Sequence, residues 1–172
     1  MAVDTGTEGL TATDGQGSPA DETPRERLGP YAGLTGAYGI ALGAFLLARR
    51  RRLPERLGAG DLALIGVATH KTSRAIAKDK VTAPIRAPFT DHEGSGGPGE
   101  LEESPRGTGL RHAIGELLVC PYCLDQWVAT GFAAGLVTAP RVTRFVAGIM
   151  AAVAVSDFLQ VAYKVSESQL GD

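Results

Sequence analysis

The chain is poor in the features that usually announce a chemistry. Of its 172 residues only two are cysteines, Cys120 and Cys123, too few for a disulfide framework. Basic residues are not in excess. Seventeen Lys and Arg stand against nineteen Asp and Glu, a formal net charge of −2, so no nucleic-acid partner is expected. There is no Walker-type or dinucleotide glycine loop and no G-x-S-x-G elbow. The glycine-rich stretch at 94–99 follows no strand-like run. His70, His92 and His112 are scattered, without the paired spacing of a zinc site, so no metal or other cofactor is expected. A secretion signal is not expected either, because Asp4, Glu8 and Asp14 stand where such a signal carries positive charge.

What is present is a set of apolar blocks bracketed by charge. Residues 28–48 contain no charged side chain. At about 1.5 Å per residue they would cover about 30 Å, the hydrocarbon thickness of a bilayer. Gly39 and Gly43 form a small-xxx-small pair suited to close helix packing in lipid. The block stops at Arg49, Arg50, Arg51 and Arg52, which marks that end as cytoplasmic. Residues 1–27, rich in Gly, Thr, Asp and Glu, bury too little apolar surface to order themselves and read as a disordered tail.

Residues 117–139 and 145–163 each hold a single acid, Asp125 and Asp157, and each is long enough to span. The basic turn between them predicts an antiparallel helical hairpin. Gly131, Gly135, Gly148 and Ala152 repeat at four-residue spacing and are expected to line its packing face. Residues 61–80 are ambiguous. A short apolar run is followed at once by Lys71, Arg74, Lys78 and Lys80. That pattern favours an interfacial basic helix on the cytoplasmic face, with a fourth, short span as the alternative. Residues 90–109 read as a flexible polar loop, and 164–172 as a C-terminal tail. The fold expected is all-α: an integral membrane protein of about three transmembrane helices, four being possible. The charges favour a topology with the tail and the 140–144 turn outside and the loop inside.

Three groups of residues could carry chemistry. The Cys120-Pro121-Tyr122-Cys123 pair could be structural, redox-active or metal-binding; no βαβ pattern precedes it as in thioredoxin-like proteins. Asp125 and Asp157 are acids within apolar spans, which are functional candidates by default. Counted from Pro140 they fall at nearly equal depth, so with Gln160 they could form one polar cluster. Arg74, Lys78, Lys80 and Arg86 are the expected basic partners of that cluster.

The strings "THKTSRAIAKDKVTAPIRAPF" and "RGTGLRHAIGELLVCPYC", the following Trp127, and an apolar hairpin containing "SDF" together resemble a bacterial membrane family, domain of unknown function 1360, over residues 61–163. The resemblance implies a bacterial membrane protein without assigned activity; a member of the family is associated with sporulation in bacilli. It supplies no catalytic residues. In shorter members the "SRAIAKDK"-like helix looks like a first span, which keeps the four-span alternative open. The function expected is a non-enzymatic assembly component in the lipid bilayer, associating with other membrane proteins or with itself. The alternatives are a thiol-disulfide protein using Cys120 and Cys123 and, with less in its favour, an ion- or proton-conducting component using Asp125 and Asp157.

Overall fold

The computed structural model describes residues 24–170. Six α-helices and one β-hairpin follow in order: α1 Pro24–Arg49, α2 Ala59–Lys78, α3 Ala83–Arg86, β1 Thr90–Gly97, β2 Glu100–Pro105, α4 Gly109–Val119, α5 Pro121–Thr138 and α6 Pro140–Leu170. Most of the expected tail lies outside the described residues, but Pro24 to Arg27 already belong to α1. The expected C-terminal tail is helical as far as Leu170.

Prolines set the starts of α5 and α6. The residue before a proline is pushed out of the α region. Cys120, before Pro121, is extended (φ −104°, ψ 103°) and separates α4 from α5, so the first arm of the hairpin starts four residues later than its apolar run suggests. Ala139, before Pro140, breaks α5 from α6 in a single residue (φ −144°, ψ 64°). At this corner the helices touch: a Cβ on Gly135 would stand 2.6 Å from Thr143 Oγ1.

The core is a three-helix packing with α2 at its centre. Ile65, Ala68, Thr69, Ser73 and Ala77 of α2 are buried, against Leu124 of α5 and Thr143, Ala147 and Ala154 of α6. The 61–80 segment, expected as an interfacial helix or a short span, is this central helix. The helix lies along α5 and α6, because its small residues repeat at helical spacing and admit both neighbours closely. The α6 face that packs runs through Thr143, Ala147 and Ala154, while Ala152 is exposed and a Cβ on Gly148 would meet nothing within 4 Å. Gly131, Gly39 and Gly43 likewise have open space where a Cβ would stand, so of the predicted packing glycines only Gly135 makes a close approach. Helix α1 docks instead through Tyr38, whose ring meets Trp127 edge-on at 5.0 Å and whose hydroxyl is 2.7 Å from Thr130 Oγ1.

These contacts define two ends of the molecule. Tyr31 bonds Glu116 of α4, and Tyr38 reaches Trp127 and Thr130, further along α5. Helix α1 therefore descends alongside α5 and ends level with the 139–140 turn. Arg144 forms a two-pronged ion pair with Asp61 (2.8 Å each), and Lys71 pairs with Asp157 (3.0 Å), so α2 and α6 run the same way from that turn. Arg49 to Arg52, Arg56, Arg141 and Arg144 thus gather at one end, which we call the arginine pole. The β-hairpin, α3 and Cys120–Cys123 lie at the other. The expected placement of the Arg49 cluster and the 140–144 turn at opposite ends is corrected accordingly.

Two helices, Leu28–Arg49 and Pro140–Gln169, are long and apolar enough to cross a membrane. Their most apolar windows are 0% and 11% buried, unlike the core helix of a globular protein.

A β-hairpin stands where a flexible loop was expected, which makes the fold mostly helical rather than all-α. Its strands pair antiparallel from Thr90↔Pro105 to Gly97↔Glu100, with irregular register at His92/Gly94 and Ser95/Gly97. Pro98 and Gly99 close it; Gly99 sits at φ 81°, where a side chain would be strained. Local propensity does not make these strands, since 90–97 holds three glycines and only one β-branched residue. Ion pairs to α2 and α3 hold them.

Candidate functional site

The hairpin end is built on matched spacings. Arg74 and Lys78 are four apart on one face of α2, a step of about 6 Å. Glu100 and Glu102 are two apart on one face of β2, a step of about 6.6 Å. The two rows meet: Arg74 takes both oxygens of Glu100 at 2.8 and 2.9 Å, and Lys78 meets Glu102 at 3.0 Å. Glu103, pointing the other way, binds Arg86. That pair is the most deeply enclosed charge pair among the described residues, at 0% and 6% side-chain exposure. Arg86 also donates to Ile76 O (2.6 Å), Thr82 Oγ1 (2.7 Å) and Asp79 O (3.2 Å), and Thr90 Oγ1 lies 3.3 Å from Glu103. Four acceptors thus surround the buried charge, the kind of satisfaction under which such a pair is tolerated.

The expected pairing of Arg74, Lys78, Lys80 and Arg86 with Asp125 and Asp157 is therefore corrected. Arg74, Lys78 and Arg86 hold the hairpin. Lys80 gives its backbone N–H to Gly99 O (2.9 Å) and makes no side-chain ion pair among the described residues. Neither residue that does meet the two acids was among the expected partners. Ser73 bonds Asp125, and Lys71 bonds Asp157 at 3.0 Å and Asp79 at 3.6 Å. Ser73 and Lys71 are two residues apart on α2, about 200° around a helix. The acids consequently contact opposite sides of α2 and do not face each other. Gln160 lines, with Lys71, Asp79, Asp157 and Phe158, an open cavity of about 700 Å³ beneath the hairpin tip; Asp125 does not.

Asp91 and Arg106 clip the open end of the hairpin. The hydrogen bond from Arg106 holds the Asp91 carboxyl below its ordinary value, against a weaker opposing effect of desolvation. A depressed acid stabilises the folded state above its unfolded pKa and ceases to do so as pH falls through the folded one. The expected result is lower amide protection, relative to the intrinsic exchange rate, over residues 90–105 as pH drops below about 4. Asp91→Asn should remove that component of the acid dependence.

Cys120 and Cys123 stand at the start of α5. Cys120 is the N-cap; the Cys123 backbone N–H points at its sulfur over 3.3 Å, and the two sulfurs are 2.6 Å apart as free thiols. Tyr122 between them is 86% exposed. Among the described residues no third histidine, cysteine or carboxylate completes a metal set with them.

The family model described as "Protein of unknown function (DUF1360)" matches residues 64–163. The chain belongs to this family, and the match spans the α2 core, the hairpin, the cysteine pair and most of α6. The chain is similar to the sporulation protein YjcA of Bacillus subtilis (strain 168), with 34% identity over 71 residues, 40% of this chain and 60% of that protein. It therefore spans less than two thirds of that relative's length. No solved structure matches.

Proposed function

We propose that the chain is a four-span protein of the bacterial cell membrane that works by assembling with other membrane proteins. On this reading α1, α2, α5 and α6 cross the bilayer, and the hairpin end is the surface presented to partners. The observation that carries it is the exposure of the two longest apolar helices. In α6, Phe145, Ile149, Val155, Phe158 and Val161 are each at least half exposed, and in water such a face would be a severe liability. Lipid is the natural cover. Helix α2, shorter and more polar, would cross because it is sheltered between α5 and α6, with Asp125 and Asp157 answered by Ser73 and Lys71.

The arginine pole supports the orientation. Seven arginines flank the helix ends there against two acids, Glu55 and Asp61, whereas most basic groups of the hairpin end are paired with carboxylates. The positive-inside rule makes the arginine pole cytoplasmic and the hairpin end external. The name of the relative supports a role for the assembly in spore formation. The full-length chain is expected to stay in the pellet through an alkaline carbonate wash and to need detergent for release. Its recovery in the wash would remove the reading.

A further inference from the structure

We infer that Cys120 and Cys123 form a dithiol that reduces disulfides of other proteins at the surface of the membrane. The function proposed above does not use this pair; only the compartment in which the pair would act rests on that reading. Three observations carry the inference. The first is position: Cys120 caps α5, an 18-residue helix, and receives the Cys123 N–H on its sulfur. Peptide dipoles and unpaired N–H groups at a helix start favour a thiolate there. The second is proximity, since Cys123 Sγ at 2.6 Å can attack whatever forms at Cys120 Sγ. The third is access. Cys123 is exposed, Cys120 is half-buried, and the exposed Tyr122 ring offers an incoming polypeptide an apolar contact. Thiols that merely filled a core would have none of this.

The exchange balances as follows. The Cys120 thiolate attacks one sulfur of a partner disulfide. The partner's S–S bond breaks, a mixed disulfide forms, and the partner's other sulfur leaves as a thiolate and takes up a proton. Cys123 then loses its proton and attacks Cys120 Sγ, expelling the partner's second sulfur, which is protonated in turn. Two electrons pass from the pair to the partner, and the chain ends with a Cys120–Cys123 disulfide. A protein dithiol returns it to the starting state.

Oxidised glutathione serves as the probe disulfide on the full chain in detergent, where orientation in the membrane plays no part. Cys123→Ser should accumulate one glutathione on Cys120 and stop. The unsubstituted chain should pass through that adduct and finish two hydrogens lighter, carrying no glutathione. Cys120→Ser should react at Cys123 at least about tenfold more slowly, because its thiol is not the N-cap. Similar rates for the two single variants, or no reaction until the chain is unfolded, would overturn the inference. A positive result with the pair found on the cytoplasmic side would leave the exchange standing and remove the orientation alone.

Discussion

Arg86→Met is expected to destabilise the protein by about 3–5 kcal/mol, because it leaves the enclosed Glu103 carboxylate without its counter-charge. The loss should be local at first, with the hairpin separating from α2 before the three-helix core opens. Removing both charges with Arg86→Met and Glu103→Leu should recover only part of the loss. Arg86 also donates to Ile76 O, Asp79 O and Thr82 Oγ1, and the double variant would lose those three bonds as well. Thermal unfolding in detergent, read beside amide exchange over 90–105, separates the two effects. Equal stability of the single variant and the parent would mean that the hairpin is held by something other than this pair.

Gly115 provides the second large effect. It lies within α4 and is buried against the base of the hairpin. A Cβ there would stand 2.5 Å from Phe89 O and 3.1 Å from Pro105 Cα. Both are backbone atoms, and Phe89 O already accepts the Arg106 N–H at 2.8 Å, so neither can yield cheaply. In an open helix Gly→Ala would gain about 1 kcal/mol. Here the overlap reverses the sign, and Gly115→Ala should lose about 1–3 kcal/mol, with Gly115→Val losing more. Gly66→Ala in α2, where a Cβ meets nothing within 4 Å, is the control and should be neutral or slightly stabilising. Comparable melting shifts for the two alanine variants would contradict the close approach.

Much of the helical framework was legible in the sequence, because prolines and apolar blocks act locally. The uncharged 28–48 block became the body of α1, and Pro140 marked the sharp corner between the last two helices. The hairpin was not legible by propensity, since its strands are glycine-rich and polar and depend on Arg74, Lys78 and Arg86 from distant segments. A signal was nevertheless present. Two bases four apart on a helix and two acids two apart in a later segment match in step, and that match could have been sought. The helix-packing glycines misled because small residues permit close approach without requiring it. In α6 the stripe that packs is Thr143, Ala147 and Ala154, displaced around the helix from Gly148 and Ala152. The partners of Asp125 and Asp157 were missed for a related reason. Ser73 and Lys71 leave α2 on opposite sides, and only the packing of α2 between two helices gives each an acid to meet.

Impermeant-maleimide labelling of intact cells tests directly how the two ends of the molecule stand to the membrane. Single cysteines would be placed at Leu53, Arg141 and Ser95, in a chain whose Cys120 and Cys123 are serine. The cysteine at Ser95 should be labelled from outside, while those at Leu53 and Arg141 should react only after the cells are opened. Labelling of Leu53 and Arg141 from opposite sides of the membrane would contradict this arrangement.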